Sequence, residues 1–362
     1  MKNTKVIKAK CTKAGLFFAV ELAQFGSTWK AINMIPLTNE EYRMLGSEIK
    51  QREYFTNSNL LDCSVCGSRK VGGCNCPSKK ISCSSSMPYQ FECIYCTNFK
   101  IDYTGPRQKS PYNSVKGISN IPNAIKDSYG NPMGSQYDLA MDDGFIGYKI
   151  VVLNLCDECN FDAPRKALQK KGFEVVEYKT APSVQQLEKE LFGDETQLWI
   201  ISHKTSFLND NHINLICSYF NRGNGIYIWG DNDPYYVDAN KITQKLFNTK
   251  MSGNYIGKNV LGIRHGYSKS GIIENHPITT GLVNFFEGIT IAHIHMNSNL
   301  EELMYSSDGN VLAAFYDKDG KRALVDGGFT RLWCNWDSAG TDRYIVNAAA
   351  WLANIERFGY MQ

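Results

Sequence analysis

Residues 148–178 read YKIVVLNLCDECNFDAPRKALQKKGFEVVEY, and this stretch decides the fold class. Its first run, YKIVVLNL, is almost continuously apolar, which is typical of a parallel strand buried on both faces. A helical segment follows, in which Asp162 is the expected cap, Pro164 suits the first turn and Gly172 suits the end. The second apolar run, FEVVEY, predicts another strand. The stretch is therefore a strand–helix–strand unit, whose crossover is right-handed.

The same alternation continues towards the end of the chain. Ser183 and Gln186 have the spacing of a capping box before the next helix. Asp210 and Thr341 are the expected caps of later helices, and further strands are expected in QLWIIS, GIYIWG, NVLAAFYD and RALVDGG. Repeated units of this kind predict an α/β fold with a doubly wound, mostly parallel, flavodoxin-like sheet.

The composition is that of a globular protein. Hydrophobic residues make up 43% of the 362 residues and aromatic residues 12%, which is enough for a core and for two domains. The formal charge of +3 is too small to indicate nucleic-acid binding by itself. No run approaches the roughly 20 apolar residues of a membrane-spanning helix. We therefore expect a soluble, cytoplasmic protein that makes no membrane contact.

Four segments differ in composition. Residues 1–60 predict a β-hairpin, from GLFFAVELAQF and TWKAINMIPL, and then a short helix in LTNEEYRMLGSEI. Residues 61–103 are rich in cysteine. Residues 104–145 are rich in Pro, Gly and Ser and show no periodicity, so a linker or an extended wrapping arm is expected. Residues 146–362 form the α/β domain.

The cysteine-rich segment holds seven of the twelve cysteines and predicts a zinc module. A disulfide framework is expected in short secreted chains, whereas these thiols belong to a long chain and are odd in number. The Cys-x2-Cys pairs at the two ends can supply four thiolates to one Zn²⁺ in a closed, structural site. These four residues are Cys63, Cys66, Cys93 and Cys96.

Three cysteines lie between these pairs, namely Cys74, Cys76 and Cys83. They make a second zinc site if a fourth ligand exists, for which Asp62, Cys11, the Cys156/Cys159 pair and a shared sulfur are candidates. A lower alternative is nucleic-acid binding through this zinc ribbon, with phosphate contacts from Arg69, Lys70, Lys79 and Lys80. The order of cysteines over residues 61–98 resembles the zinc-binding C-terminal domain of tellurite-resistance von Willebrand-A-type proteins, which implies a binding module.

Polar residues follow the predicted parallel strands, at the edge where doubly wound sheets bind ligands. We call His203, Asp231, Asp233 and Asp326 the strand-end rim. These side chains could bind a divalent metal and activate water, which makes a metal-dependent hydrolase the alternative function. The other interpretation of Asp231 and Asp233 is that they form Asx turns before Pro234.

Two further pairs were candidates for chemistry. His293 and His295 lie two apart on a predicted strand, where both point to one face, as metal ligands or as ordinary surface histidines. Cys156 and Cys159 lie between a strand and a helix, as redox pairs do. The intervening Asp157 and Glu158 disfavour a thiolate there by charge repulsion.

Three phrases in residues 146–357 resemble the class I glutamine-amidotransferase-like superfamily, in particular its non-catalytic gliding-motility and intraflagellar-transport branch. They are RGNGIYIWGDNDPYYVDANKITQKL, ENHPITTGL and RALVDGGFTRLWCNWDSAGTDRYIVNAAAWLAN. The resemblance implies an amidotransferase-like sheet. Catalytic members carry a nucleophilic cysteine in a tight turn after a strand, where this chain has Asp231. The resemblance therefore implies a domain without the catalytic triad.

The loop LWCNWDSAGTDR suggests a contact surface. Arg331, Trp333, Trp336 and Arg343 have the composition of an interface anchor, and the tryptophans are equally suited to covering the end of the sheet. Together these features predict a non-enzymatic, zinc-containing binding or scaffold protein with a protein partner.

Overall fold

The computed structural model describes residues 110–191, 195–336 and 338–358 throughout, and before residue 110 only the β-strands. The chain divides into two compact units, one of Met1–Lys109 with Glu356–Gln362 and one of Ser110–Ile355. The seven cysteines of the predicted zinc module lie outside the described residues. The predicted helix after residue 37 also lies outside them, apart from Glu48–Ile49. The same holds for Asp337 in the loop LWCNWDSAGTDR.

The first unit contains an antiparallel sheet in the order β3-β2-β1-β4. Its strands are β1 (Thr4–Cys11), β2 (Leu16–Phe25), β3 (Thr28–Leu37) and β4 (Glu48–Ile49). The pairing of β2 with β3, which ends at Phe25 and Thr28, confirms the predicted hairpin. Two short strands, β5 (Phe91–Glu92) and β6 (Lys100–Ile101), pair with each other. Strand β1 was not predicted, because its alternating lysines resemble the start of a leader segment.

The second unit is built on an eight-stranded sheet in the order β13-β16-β17-β18-β10-β9-β7-β8. Its last five strands in this order are parallel, as predicted. They are β7 (Lys149–Asn154), β8 (Glu174–Tyr178), β9 (Thr196–Ile201), β10 (Gly225–Trp229) and β18 (Lys321–Asp326). The other three are antiparallel: β13 (Gly271–Ile272), β16 (Glu301–Tyr305) and β17 (Val311–Lys318).

Two small antiparallel pairs lie between β10 and β16 in the sequence. Strand β11 (Met251–Ile256) pairs with β15 (Thr290–Ile294), and β12 (Val260–Gly262) pairs with β14 (Asn284–Phe286). Neither pair was predicted, because their short runs lack a clear alternation of apolar and polar residues. Thr290, the first residue of β15, contacts Asp231 in the turn after β10.

Five α-helices connect the strands of the described part of the second unit. They are α1 (Asp162–Lys170), α2 (Val184–Glu190), α3 (Asp210–Asn221), α4 (Val237–Phe247) and α5 (Thr341–Leu352). The hydroxyl of Ser183 accepts a hydrogen bond from the Gln186 amide, which confirms the predicted cap of α2. The cap of α3 is Asn209 rather than Asp210, one residue earlier than predicted. None of the helices in the described residues is long and apolar enough to cross a membrane.

Aliphatic and aromatic side chains of the parallel strands form the core of this unit. All residues of β9 and β10 are buried, as expected for strands covered by helices on both faces. The rings of Trp199 and Tyr227 meet edge to face, with centroids 4.9 Å apart, and Tyr227 stacks on Trp229 at 4.2 Å. This packing fixes the ends of β9 and β10, from which the candidate site is built.

The segment before β7, residues 110–145, packs onto the second unit as a strap. The side chain of Asn347 in α5 donates to the carbonyl oxygens of Ile278 and Thr280 and accepts from the amide of Leu139. Asn131 accepts hydrogen bonds from the amides of residues 283 and 284. The strap is thus fastened by buried amide side chains, which satisfy backbone groups that have no sheet partner.

Candidate functional site

The carboxyl ends of β7, β9, β10 and β18 share one edge of the sheet, as the parallel pairing requires. In register, Trp229 of β10 lies beside Asp326 of β18 and beside Ile201 of β9, which pairs with Asn154 of β7. The residues that follow these strands therefore start from neighbouring positions. The prediction that this edge gathers polar side chains is tested below for each residue of the strand-end rim.

Asp326 is a buried structural residue. Its carboxylate, which is 0% exposed, forms an ion pair with Arg331, with distances of 2.6 and 2.8 Å from Nη1 to the two oxygens. The hydroxyl of Tyr344 and the amide of Gly328 also donate to it. A carboxylate with its lone pairs occupied in this way has no place for a metal ion. Its assignment to an open ligand rim is therefore corrected.

Asp231 is also enclosed, in the turn after β10. Its Oδ1 accepts from the amide of Asn232 and the hydroxyl of Thr290, and its Oδ2 accepts from the amide of Thr330 at 3.0 Å. The side chain thereby joins the turn after β10 to the start of β15 and to the 3₁₀ turn after β18. Burial raises the pKa of Asp231 from 3.8 to about 7, against the opposing effect of these hydrogen bonds.

The rim residues do not assemble into a metal site. The exposed Asp233 accepts a hydrogen bond from the hydroxyl of Tyr236 at 2.7 Å, as a turn residue does. Within residues 110–358, leaving out the masked positions, no three His, Cys, Asp or Glu side chains are grouped closely enough to bind a metal ion. The geometry thus favours the structural interpretation of Asp231 and Asp233 and gives the hydrolase alternative no support.

His203 differs from the three acidic residues because part of its ring has no protein partner. The residue follows the end of β9 and is 8% exposed as a whole. Its Nδ1 accepts from the amide of Thr205 at 3.2 Å and lies 2.9 Å from the Thr205 hydroxyl. Oδ2 of Asp157 lies 4.0 Å from Nε2. His203 is therefore an oriented donor at the edge of the sheet.

The loop beside His203 is held by Asp238 at the start of α4. This buried carboxylate accepts from the amides of Phe207 and Leu208 and from the hydroxyl of Ser206. The hydroxyl of Ser202, at the end of β9, accepts in turn from the Asp238 amide. Both ends of the loop of residues 203–207 are therefore tied to α4.

Aromatic rings continue from His203 along the strand ends. The His203 ring meets Phe207 edge to face at 5.5 Å and Tyr235 at 6.1 Å. Tyr235 meets Phe329 at 6.1 Å, and Phe329 stacks on Trp333 at 5.6 Å. Phe207, Tyr235 and Trp333 are half-buried. His203 and Trp333 were predicted as site residues from the sequence, whereas Phe207, Tyr235 and Phe329 were not. The only signal of these last three rings in the sequence is that each lies shortly after the end of a strand.

The described cysteines do not resemble activated nucleophiles. Burial raises the pKa of the thiols of Cys156 and Cys159, and that of Cys334 is raised by burial and by the nearby Asp231. The backbone carbonyl of Cys159 accepts hydrogen bonds from the side chains of Asn154 and Lys179. These bonds hold the loop without using the thiol. No imidazole is hydrogen-bonded to a thiol among the residues that the structure describes. A redox role for Cys156 and Cys159 stays a prediction.

The predicted interface residues separate into two groups. Arg331 is 0% exposed, donates to the carbonyl of Glu287 and lies over the ring of Phe285 at 4.9 Å. Arg343 is buried beside Asp138, with Nε 2.8 Å from the carboxylate. Both arginines are thus internal, which corrects their assignment to an exposed anchor; their charges are compensated by buried acids. Trp333 and Trp336 are half-buried and stay candidates for contact.

His293, in β15, and His295, just after this strand, do not share a partner. The ring of His293 stacks on Tyr255 at 3.8 Å, and its Nε2 lies 2.9 Å from Asp308. Burial lowers the pKa of His293, against the effect of Asp308. Nε2 of His295 instead contacts the hydroxyl of Ser252 at 2.6 Å, on the surface. Each histidine therefore contacts a different side chain, and no ligand set is shared.

No family model and no curated protein matches the chain. Among solved structures, the cytoplasmic protein STM1381 of Salmonella typhimurium LT2 aligns at 11% identity and a TM-score of 0.40, over 58% of this chain and 99% of its own. The cytoplasmic protein STM3548 of Salmonella typhimurium aligns at 10% identity and 0.40, over 58% and 98%. PurLQS of Thermotoga maritima aligns at 11% identity and 0.33, also over 58% and 98%.

Proposed function

We propose that this protein is a non-enzymatic binding protein whose α/β unit contacts a protein or a small ligand at the strand ends, and whose cysteine-rich segment binds zinc. The observation that carries the proposal is the enclosure of Asp231. The resemblance to amidotransferases places a nucleophilic thiol at this turn, whereas this chain has a carboxylate that already accepts three hydrogen bonds. Nucleophilic catalysis needs a group that is free to attack substrate.

The state of the other reactive groups supports the same proposal. The thiols at positions 156, 159 and 334 have raised pKa values, so each is mostly protonated at neutral pH and weakly nucleophilic. Of the strand-end rim, Asp231 and Asp326 are fully buried and hydrogen-bonded, and Asp233 accepts from the hydroxyl of Tyr236. What stays available at the strand ends is an oriented histidine donor and half-buried aromatic rings, which suit binding.

The experiment that tests the proposal combines a reaction assay with a binding assay. We expect the purified full-length chain to release no ammonia from glutamine above the spontaneous rate. We also expect the tagged chain, expressed in its source cells, to retain a specific partner that Trp336→Ala loses. The matched control is Tyr267→Ala, which removes an aromatic ring that is fully exposed elsewhere on the unit.

Two outcomes would contradict the proposal. Ammonia release that disappears in Cys334→Ser or Cys156→Ser would identify a hydrolytic thiol. Equal partner retention by the wild type, Trp336→Ala and Tyr267→Ala, or no retention by any of them, would mean that the loop containing Trp336 does not bind a partner. Salt-sensitive binding of nucleic acid, lost on charge reversal of Lys79 and Lys80, would instead favour the zinc-ribbon alternative.

A further inference from the structure

The hydrogen-bond partners of the His203 ring determine which ring nitrogen carries the proton of the neutral form. A backbone amide can only donate a hydrogen bond, so Nδ1, which accepts from the amide of Thr205, carries no proton. In the neutral ring the proton is therefore on Nε2. The hydroxyl of Thr205, 2.9 Å from Nδ1, is then also a donor to it. His203 presents Nε2–H as a donor whose direction is fixed by two contacts on the far side of the ring.

This donor has no acceptor within hydrogen-bonding distance in the described part of the chain. The side chain of His203 is 10% exposed, and its closest carboxylate oxygen, from Asp157, lies 4.0 Å from Nε2. That distance is too long for a direct hydrogen bond. It is suited to one oxygen atom placed between the two groups, which accepts from Nε2–H and donates to Asp157. Only a hydroxyl group or a water molecule can do both.

The surroundings restrict the ligand further. Phe207 and Tyr235 each meet the imidazole edge to face and are half-buried, so a carbon skeleton can pack against their rings. The exposed carboxylate of Asp157 lies 4.0 Å from the donor, which disfavours an anionic ligand. The Nε2–H donor disfavours a cationic group at the same place, since a cation cannot accept a hydrogen bond. A neutral, hydroxyl-bearing ligand satisfies all of these groups.

We propose that His203 and Asp157 bind a hydroxyl group of a neutral polyol, such as a monosaccharide, with the rings of Phe207 and Tyr235 against its carbon skeleton. This proposal rests on the proposed binding function and names the ligand class of the strand-end site. The loop that carries His203 and Phe207 is tied to α4 by Asp238, so the donor and the ring are positioned before the ligand arrives.

The proposal is tested by ligand-observed NMR on the full-length chain with glucose, mannose, ribose and myo-inositol. We expect saturation transfer to at least one of them, and affinity roughly tenfold weaker or worse in Asp157→Ala, because a hydrogen bond to a charged group is lost. Asp157 is 80% exposed, so this change leaves the fold intact. Glu158→Ala removes the same charge one residue away and should bind like the wild type.

Three outcomes would overturn the proposal: no binding of any of the four compounds, equal binding by the wild type and Asp157→Ala, or equal losses in the Asp157 and Glu158 variants. The first means that water alone bridges the two groups. Inorganic phosphate and tetramethylammonium serve as charged probes, and Asp157-dependent binding of either would also reject the neutral ligand class. If polyols fail while Trp336→Ala still loses a protein partner, the ligand class is wrong and the binding function stands.

Discussion

Asp231 shows how a single side chain can connect a fold and report on it. It accepts hydrogen bonds from the adjacent Asn232 and from two segments that are distant in sequence, at Thr290 and Thr330, and it is completely buried. Burial opposes ionisation, whereas the three donors favour it. The raised pKa, about 7, shows that burial has the larger effect. The stability of the protein should therefore depend on the protonation of this residue.

The expected pH dependence has a definite sign. A carboxyl group whose pKa is higher in the folded state stabilises the fold fully below its ordinary pKa of 3.8, and this contribution is lost as pH rises to about 7. Asn cannot ionise, so the stability advantage of the wild type over Asp231→Asn should shrink between pH 4.5 and pH 7.5. The slope is at most about 1.4 kcal/mol per pH unit. Urea unfolding of both proteins across this range measures it.

The comparison cancels every other titrating group, since both proteins share them. Asp233→Asn is the matched control, because Asp233 lies two residues away in the same turn and is exposed. Its unfolding free energy should stay parallel to that of the wild type. Parallel curves for Asp231→Asn as well would mean that Asp231 ionises as easily in the folded chain as in the unfolded one. Its enclosure would then be energetically unimportant.

Residue roles that depend on distant partners could not be predicted from the sequence. The position of Asp231 after a strand was evident, and so was the Asx-turn alternative. The donors from Thr290 and Thr330 were not, because they come from segments about 60 and 100 residues later, as the separations of 59 and 99 show. Likewise, nothing in the local pattern indicates that Arg331 turns inward to pair with Asp326.

At the scale of elements, local patterns predicted the parallel strands well and the irregular segments poorly. Continuous apolar runs gave β7, β9 and β10, because strands covered on both faces need no polar alternation. Helix starts were shifted by one residue at Asp210, where two neighbouring residues are both good caps. The strap lacks periodicity, and its path is set by non-local hydrogen bonds, so the sequence left its position open.

The side chain of Asn347 connects the strap to residues 278–280, so its replacement should loosen the strap. Asn347→Ala should lower the free energy of unfolding by at least about 2 kcal/mol, because the buried carbonyls of Ile278 and Thr280 and the amide of Leu139 lose their partner. Limited proteolysis should also cut within residues 110–145 earlier than in the wild type. Chemical denaturation and mass mapping of the fragments measure the two effects.

Asn211→Ala is the control for the strap, since Asn211 is an exposed residue of α3 and its loss should change stability by less than about 0.5 kcal/mol. If Asn347→Ala is destabilised without earlier cleavage of residues 110–145, the amide supports the core and not the strap. If neither stability nor cleavage changes, water replaces its hydrogen bonds and the strap is held by other contacts.

At the scale of the whole molecule, we expect the two units to differ in what they need in order to fold. The second unit has a large apolar core around its parallel sheet, and its described residues include no group of three metal ligands. The cysteine-rich segment, residues 61–103, has few apolar residues for its length, so zinc would supply much of its folding free energy. Metal removal should therefore affect the two units differently.

The zinc content of the full-length chain tests the zinc module directly. We expect one zinc ion per chain, or two if Cys74, Cys76 and Cys83 find a fourth ligand, and loss of zinc in Cys63→Ser. Cys217→Ser, which removes a half-buried thiol of α3, is the control and should keep the metal. A chelator should increase hydrogen exchange in residues 61–103, because a closed thiolate site holds its segment only while the metal is bound.

Tryptophan fluorescence distinguishes a local effect of the metal from a global one. Five of the six tryptophans, all except Trp29, lie in Ser110–Ile355, so the fluorescence transition reports on the second unit. We expect its midpoint to be unchanged by the chelator, since the core of that unit needs no metal. A metal-free chain would reject the zinc prediction outright. A midpoint that falls together with the zinc content would mean instead that the second unit depends on the cysteine-rich segment, and that binding at the strand ends is linked to the metal.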